Sequence, residues 1–365
     1  MPSKNWGNRP WTITFQAKRG PLPGSVDFAF IGGGFTGLAA AAWLKRLVPQ
    51  SSVALLEAGH FGSGASGYTG GVPLAETAVG DLPGLGDVLA GYASILKELQ
   101  INADLQLPGA YELGRANPLP QSPIRWKDSG DLCVVKEVPG GTVNPGKVIS
   151  GLAAAADHAG VLLFEGATVE RCEFGEPLRL HTSVGLLQAK KALFATNAFS
   201  LQLTGWSHRA EACFTTAVAT EELSGEALAE IGLGDGKAFY TVDLPYLWGR
   251  LLGKQIIFGS GLVHFGDWRE MDALDITQGE AAELYTRLEK RIRGLHPRLG
   301  NVKFTHHWGG PICITQGWRP IFEHHSESEN AIVLGGFSGH GVAQSVYLGV
   351  WAAEALLGKR ELPDW

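Results

Sequence analysis

A chain of 365 residues with 45% hydrophobic and 18% charged residues is long enough to bury a large core, in two domains or one interleaved pair. A net charge of -6 and a pI near 6.0 provide no basic surface for phosphate backbones, which excludes nucleic acid as an expected partner. The four cysteines lie far apart with neither C-x-x-C nor Cys/His ligand spacing, which excludes a disulfide framework and predicts no metal site.

Residues 1–25 are predicted to form an N-terminal extension. Up to Lys18 this segment carries charges, two prolines and two tryptophans where a secretory signal needs an unbroken apolar stretch. The longest apolar run, Ile31 to Leu44, contains four glycines and is too short to span a bilayer as a helix. Together with the cysteine usage, these features predict a cytoplasmic protein without integral membrane contact.

A strand, a turn, a helix and a second strand follow in the order of a βαβ unit. The apolar run Asp27 to Ile31 predicts the first strand, the alanine-rich stretch Thr36 to Val48 the helix, and Ser52 to Glu57 the second strand. Both strands are nearly all apolar, which is typical of a parallel sheet with helices on its faces.

A glycine motif, Gly32-x-Gly34-x-x-Gly37, lies between this first strand and the helix. Its glycines allow a tight turn and close approach of the backbone to a pyrophosphate, which the positive helix N-terminus also favours. Such a motif alone can occur by chance in any α/β protein. Glu57, however, ends the second strand at the position of a carboxylate that binds ribose hydroxyls. The pattern therefore predicts a dinucleotide site.

A second glycine-rich strip occupies residues 62–71, close behind Glu57. Small residues let the backbone lie along a long, buried cofactor, which favours a flavin over a nicotinamide. A flexible surface loop is the alternative interpretation of this strip.

The rest of the chain predicts a second domain and a return to the first. Residues 82–141 have weak periodicity and many prolines, which indicates an inserted segment. Residues 211–261 are typical of antiparallel strands, with a hairpin turn at Gly253-Lys254, and Thr277 to Leu295 predicts an amphipathic helix. Ala331 to Gly335 predicts a strand that leads through a glycine turn into a closing helix, Val342 to Leu357.

The expected fold is α/β, with a Rossmann-like dinucleotide-binding domain and a second domain on a mostly antiparallel sheet.

Several motifs together resemble the FAD-dependent oxidoreductases of the D-amino-acid oxidase and glycine oxidase type, especially amine oxidases similar to gamma-glutamylputrescine oxidase. The motifs that carry the resemblance are Ile31-Gly-Gly-Gly-Phe-Thr-Gly-Leu38, Leu56-Glu57-Ala58, Gly64-Ala-Ser-Gly67 with Gly70-Gly71, Val143-Asn-Pro145, Ala195-Thr-Asn-Ala198, Trp308-Gly-Gly310 and Gly336-Phe-Ser-Gly-His-Gly-Val342. They extend over nearly the whole chain.

This resemblance implies an FAD site assembled from the start, the middle and the end of the chain. We therefore assign residues 26–80, 143–210 and 300–360 to a Rossmann-like FAD-binding domain, interleaved with an α+β substrate domain of residues 81–142 and 211–299. The residues expected to contact FAD are Gly32, Gly33, Gly34, Phe35, Thr36, Gly37, Glu57, Ala58, Gly64, Ala65, Ser66, Gly70, Gly71, Val72, Val169, Ala195, Thr196, Asn197, Gly336, Phe337, Ser338, Gly339, His340, Gly341 and Val342. The last helix is expected to direct its N-terminus at the flavin, where it would stabilise negative charge on the reduced ring.

Departures from the family pattern bear on the substrate. Ile312 stands where enzymes of free α-amino acids usually carry an arginine for the carboxylate, and Gly317 replaces a common aspartate. Tyr68-Thr69 replaces the Arg-Asn pair of the putrescine-type enzymes. Cys313 does not match the cysteine that links flavin in sarcosine oxidases, so non-covalent FAD is expected.

The resemblance implies hydride transfer from the C–N bond of a small amine to flavin N5, followed by hydrolysis of the imine to an aldehyde and an amine or ammonia. Candidate catalytic residues and pocket walls are His340, Trp308, Arg250, Tyr246, Trp248 and Phe337. The aromatic residues could equally be core residues, Arg250 could form a buried salt bridge, and His340 could simply pack or cap the helix. Of His306 and His307, at most one is expected to face the flavin.

Two alternatives stay open. An α-amino-acid oxidase or dehydrogenase, acting on glycine, proline or a D-amino acid, would need Arg250 or Arg319 as the carboxylate clamp. An FAD-binding subunit of a hetero-oligomeric dehydrogenase would need a partner, and an oligomer or redox partner is possible in any case.

Overall fold

A computed structural model of the chain describes residues 4–17, 20–199, 201–265 and 267–365. The strands in these ranges are β1 (Ser25–Ile31), β2 (Val53–Leu56), β3 (Ala110–Gly114), β4 (Arg125–Lys127), β5 (Asp131–Val138), β6 (Leu162–Phe164), β7 (Val169–Glu173), β8 (Leu178–Thr182), β9 (Gly185–Phe194), β10 (Ala210–Thr220), β11 (Ala238–Thr241), β12 (Leu247–Leu252), β13 (Gln255–Phe265), β14 (Phe304–Thr315), β15 (Ile321–His325) and β16 (Ser328–Gly335). The α-helices are α1 (Phe35–Leu47), α2 (Ala65–Tyr68), α3 (Val88–Glu98), α4 (Pro145–Ala159), α5 (Gly225–Ile231), α6 (Trp268–Asp272), α7 (Gly279–Leu295) and α8 (Gly341–Leu356).

The first sheet has a parallel centre and the strand order β15-β16-β9-β1-β2-β6. β1 pairs in parallel with β2 and with β9, and β6 and β16 extend the parallel set. All four residues of β2 are buried, as expected for a strand covered by helices on both faces. The predicted βαβ unit is thus confirmed in β1, α1 and β2.

Close contacts between glycines and their neighbours bring α1 and α8 together on this sheet. A Cβ at Gly37 would overlap the carbonyl oxygen of Gly32, and a Cβ at Gly349 would lie 2.7 Å from the carbonyl oxygen of Thr36. The N-termini of α1 and α8 follow the carboxyl ends of β1 and β16. Ligands bind at this edge of a parallel sheet.

The second sheet has the order β14-β10-β13-β12-β11-β3-β5-β4. Its strands pair antiparallel except for β3 and β11, which are parallel. β12 and β13 form the predicted hairpin, with Leu252 opposite Gln255. The segment 82–141, predicted to be an insertion, contributes α3 and three strands of this sheet. The α/β fold with a second, mostly antiparallel sheet is confirmed.

The position of β14 differs from the predicted division of the chain into domains. β14 lies within residues 300–360, which we assigned to the FAD-binding domain, but it pairs with β10 in the second sheet. The remaining domain bounds stay a prediction.

The N-terminal extension packs against the edge strand β14. Gly7 forms an antiparallel bridge with Trp308, Asn8 N–H donates to the His307 carbonyl at 2.8 Å, and Gly309 N–H donates to the Trp6 carbonyl at 2.9 Å. Trp6 and Trp11 are both buried. Across the described ranges, no helix has the length and apolar character needed to cross a membrane.

Candidate cofactor and active site

A cavity of about 1130 Å³ is lined by residues of both sheets and of the N-terminal extension. Pockets for single drug-sized ligands usually measure about 300–1,000 Å³. This cavity therefore has room for a dinucleotide together with a small substrate.

The turn between β1 and α1 forms a cradle that only glycines allow. A Cβ at Gly33 would overlap the Phe61 ring, and a Cβ at Gly34 would lie 2.8 Å from Ser66 Oγ. Gly32 has a φ of +110°, which strongly favours glycine. The backbone at the start of α1 is thus open to the cavity, as binding of a pyrophosphate requires.

Glu57 lies beside this cradle, just after β2. Gly33 N–H donates to Glu57 Oε2 at 2.7 Å, and Gly59 N–H donates to Oε1 at 2.7 Å. Burial raises the pKa of Glu57, while the two backbone hydrogen bonds act in the opposite direction. The carboxylate is therefore held in a fixed position at the cavity wall.

Most of the predicted FAD contacts line this one cavity, although they come from distant parts of the chain. These lining residues are Gly32, Gly33, Gly34, Phe35, Thr36, Glu57, Ala58, Gly64, Ala65, Ser66, Gly70, Val72, Val169, Ala195, Thr196, Asn197, Phe337, Ser338, Gly339, His340, Gly341 and Val342.

Three predicted contacts, Gly37, Gly71 and Gly336, lie behind the cavity surface. Gly37 allows the close packing of α1 described above. A Cβ at Gly71 would overlap the Val143 carbonyl oxygen, and Gly336 N–H donates to Asn197 Oδ1 at 2.9 Å. These glycines shape the backbone that forms the wall.

His340 lies at the N-terminus of α8 and lines the cavity. Its side chain does not cap the helix, and its Nδ1 lies 3.3 Å from the Ser338 carbonyl oxygen. Burial lowers the pKa of His340, which favours the neutral imidazole at pH 7.

Aromatic side chains line another part of the cavity wall. Trp248 is clamped between Gly70 and Gly259, at each of which a Cβ would overlap its ring. Trp308 is fully buried and donates its Nε1–H to the Tyr68 carbonyl at 3.1 Å, so it belongs to both the core and the wall. Tyr246 precedes β12 and is 37% exposed, at the rim of the cavity.

Arg250 is not part of the cavity lining, contrary to its assignment as a candidate catalytic residue. Its Nε–H donates to the Gly70 carbonyl at 2.5 Å and its Nη1–H to the Leu251 carbonyl at 3.0 Å. The alternative salt bridge is not present among the described residues, where Nη2 of Arg250 is buried without a hydrogen-bond partner. Arg319 does not line the cavity either.

Neither His306 nor His307 of β14 lines the cavity. His307 Nε2 lies 2.7 Å from Glu289 Oε1, and His306 lines a separate surface cleft.

A group of potential metal ligands was not predicted from the sequence. Atoms of Glu211, Cys213 and His264 that could bind a metal lie within 4.8 Å of one another. Register pairs Cys213 of β10 with His264 of β13, so the spacing along the chain could not reveal the group.

Further cavity residues were also missed, among them Lys4, Trp6, Glu76, Glu112 and Tyr240. They come from the extension, from the segment after the second glycine strip, from β3 and from β11, and no motif marks them. An open glycine cradle, a fixed carboxylate and a cavity of sufficient size together fit FAD.

Comparisons with known proteins agree with this fit. Residues 27–355 match the family described as "DAO: FAD dependent oxidoreductase". The probable oxidoreductase OrdL of Rhizobium meliloti is 26% identical over 382 residues, covering 93% of this chain and 85% of the relative. The gamma-glutamylputrescine oxidoreductase of Escherichia coli is 25% identical over 383 residues, with the same coverage of 93% and 85%.

Solved structures share the fold. Glycine oxidase from Geobacillus kaustophilus has a TM-score of 0.72 at 19% identity, covering 93% of this chain and 96% of that one. L-amino acid deaminase from Proteus myxofaciens has a TM-score of 0.75 at 13% identity, covering 99% and 97%. The family match extends over most of the chain, and the chain therefore belongs to the FAD-dependent oxidoreductases of the DAO family.

Proposed function

We propose that this FAD-dependent oxidoreductase oxidises the C–N bond of a small amine. The amine loses a hydride from its α-carbon and a proton from its nitrogen, and water hydrolyses the resulting imine to an aldehyde and an amine or ammonia. FAD supplies the acceptor for the hydride. The two electrons then pass to dioxygen or to a redox partner.

The charge of the cavity wall is the observation that carries this proposal. Among the described lining residues, Lys4 is the sole lysine or arginine, and its Nζ pairs with Asp272 Oδ1 at 2.9 Å. An α-amino-acid substrate would need a cation for its carboxylate, but Arg250 lies outside the lining and donates its Nε–H and Nη1–H to backbone carbonyls. The cavity therefore suits an amine better than an amino acid.

The chain's own residues would hold the cofactor at three places. The N-terminus of α1 would bind the pyrophosphate, Glu57 the ribose hydroxyls, and the N-terminus of α8 the flavin. Burial raises the pKa of the Cys313 thiol to about 12, so the thiol stays protonated and is a poor nucleophile. This supports non-covalent binding of FAD.

The aromatic wall would exclude water and orient the amine. Trp248 is locked between two glycines and Trp308 is fully buried, so both present rigid apolar surfaces. An unprotonated amine is the form that loses hydride, and apolar walls favour the neutral form.

An anaerobic reduction screen of the purified holoprotein tests the proposal. Primary amines, N-methyl amines and amino acids are added in turn while the flavin absorbance is followed. We expect amines to bleach the flavin and glycine, proline and D-alanine to leave it oxidised. Peroxide release on admitting air identifies dioxygen as the acceptor. Bleaching by amino acids alone contradicts the proposal, and a flavin that no compound bleaches favours a partner-dependent subunit.

A further inference from the structure

Two carboxylates and one tyrosine share a contact inside the cavity. Tyr240 Oη lies 2.5 Å from Glu76 Oε1 and 3.1 Å from Glu112 Oε1. The three residues come from the segment after the second glycine strip, from β3 and from β11. All three line the cavity.

Glu76, Glu112 and Tyr240 together have fewer hydrogen-bond donors than acceptors. A tyrosine hydroxyl donates one hydrogen bond, so at neutral pH it can satisfy one of the two carboxylates at a time. The two carboxylates raise the pKa of Tyr240 in addition to the effect of its burial, so the hydroxyl keeps its proton. An ammonium group, with three donors and a positive charge, would complete the arrangement.

Among the described residues, one lysine pairs with this group, and it lies outside the cavity lining. Lys136 Nζ lies 3.4 Å from Glu112 Oε1, but Lys136 is not a lining residue and its side chain is 60% exposed. Glu76 has no lysine or arginine partner within the described ranges. Its charge acts on His340, but burial lowers the pKa of that imidazole and favours its neutral form. Overall, the described lining carries four carboxylates, Glu57, Glu76, Glu112 and Asp272, against the single Lys4.

Helix α8 fixes the position of Glu76. Gln344 Nε2 donates to the Glu76 carbonyl at 2.6 Å, one turn after His340 at the start of the helix. Gln344 is fully buried, and its Oε1 has no partner among the described residues. The backbone of Glu76 is therefore anchored to the first turns of α8.

We propose that Glu76, Glu112 and Tyr240 bind a second cationic group of the substrate, so that the enzyme prefers diamines to monoamines of the same length. This inference rests on the proposed function, since it assigns the far end of the same amine. One amine is oxidised in its neutral form, and the other is held as an ammonium by the acidic group.

Anaerobic flavin reduction with matched amines tests this inference. The holoenzyme is reduced with diaminobutane and with butylamine, and with diaminopentane and with pentylamine, and the apparent Kd of each amine is measured. We expect each diamine to bind at least about tenfold more tightly than its monoamine, the scale of one charge-assisted hydrogen bond. In Glu76→Gln and in Glu112→Gln this ratio should fall toward one.

Glu137→Gln is the matched control. Glu137 lies on β5 and pairs with Lys237 at 2.7 Å outside the cavity, so its loss should leave the ratio unchanged. Flavin content per protein shows whether each variant has folded. Equal binding of diamine and monoamine by the wild type overturns this inference alone. A flavin that no amine reduces overturns the proposed function as well, and the two failures are thus distinguishable.

Discussion

At the residue scale, the FAD site depends on the glycines of the β1–α1 turn and on the carboxylate of Glu57. Gly34→Val should lose most of the bound flavin, because its side chain would meet Ser66 Oγ, already 2.8 Å from an added Cβ. Glu57→Ala should do the same by removing the acceptor for the ribose hydroxyls. We expect at least about a tenfold fall in flavin affinity, the scale of a charge-assisted hydrogen bond. Flavin absorbance per protein after gel filtration measures it.

Gly294→Val serves as the matched control for Gly34→Val. Gly294 belongs to α7, and an added Cβ there meets no atom within 4 Å. This variant should keep its flavin. Full flavin retention by both Gly34→Val and Glu57→Ala contradicts the site.

The buried imidazole of His340 gives a prediction about pH. Burial lowers the pKa of His340 below the value of about 6.5 expected in the unfolded chain. The unfolded state therefore binds more protons, and the free energy of unfolding decreases as the pH falls below about 6.5. His340→Gln should flatten this dependence. His306 and His325 also have pKa values lowered by burial, so part of the slope should remain.

Thermal unfolding of the holoprotein between pH 5.5 and 7.5 (about one unit on either side of the free histidine value) measures the effect. Identical pH slopes for the wild type and His340→Gln would show that this imidazole is not desolvated.

Individual site residues were predictable only where a local motif marks them. Glu57 follows the glycine turn at a fixed spacing, so its place at the cavity wall could be predicted. Glu76, Glu112 and Tyr240 meet only through tertiary packing of three segments, and a lone carboxylate or tyrosine carries no such signal. Period two places Arg250 on the face of Trp248, yet Arg250 does not line the cavity, whereas Gly70, whose carbonyl accepts from Arg250 Nε–H, does.

At the element scale, the N-terminal extension acts as an additional edge segment of the second sheet. Trp6 donates its Nε1–H to the Met271 carbonyl at 3.1 Å and packs edge-on against Tyr68 at 5.2 Å between ring centroids. Trp6→Ala should lower the free energy of unfolding by about 3–5 kcal/mol, since the buried ring leaves a cavity. Chemical denaturation of the holoprotein measures it.

Two control variants separate packing from the hydrogen bond. Trp6→Phe keeps most of the packing and should cost about 1 kcal/mol for the lost bond. Val184→Ala, at a side chain that is 54% exposed, should change stability by less than about 0.5 kcal/mol. If Trp6→Ala is no more destabilising than Val184→Ala, the extension does not contribute to the fold.

The elements differ in how far local patterns predict them. β1, α1 and β2 follow one another in the chain and in space, and apolar or alanine-rich stretches mark each of them locally. Within residues 82–141, β3 and β4 are short, and β3 pairs in parallel with β11, more than a hundred residues away. Their patterns depend on distant partners, so the sequence indicated only an inserted segment.

At the scale of the whole molecule, the cavity is assembled from both ends of the chain and from both sheets. α1 and α8, near opposite ends, pack together on the first sheet, while Trp248 and Trp308 approach from the second. A ligand bound there contacts both sheets at once. Bound FAD should therefore stabilise the fold as a unit, by about 2.7 kcal/mol at a free concentration of one hundred times its Kd.

The same coupling predicts where the protein opens when FAD is removed. Residues 62–80 and the rim around Tyr246 line the cavity and form few of the paired strands, so loss of FAD should expose them first. Limited proteolysis of apoprotein and holoprotein, followed by mass spectrometry, should give early cuts in these two segments for the apoprotein alone. Addition of FAD should restore protection, whereas cuts in α7, which does not line the cavity, should be unaffected. Identical cleavage of both forms would mean that the cavity is not held together by its cofactor.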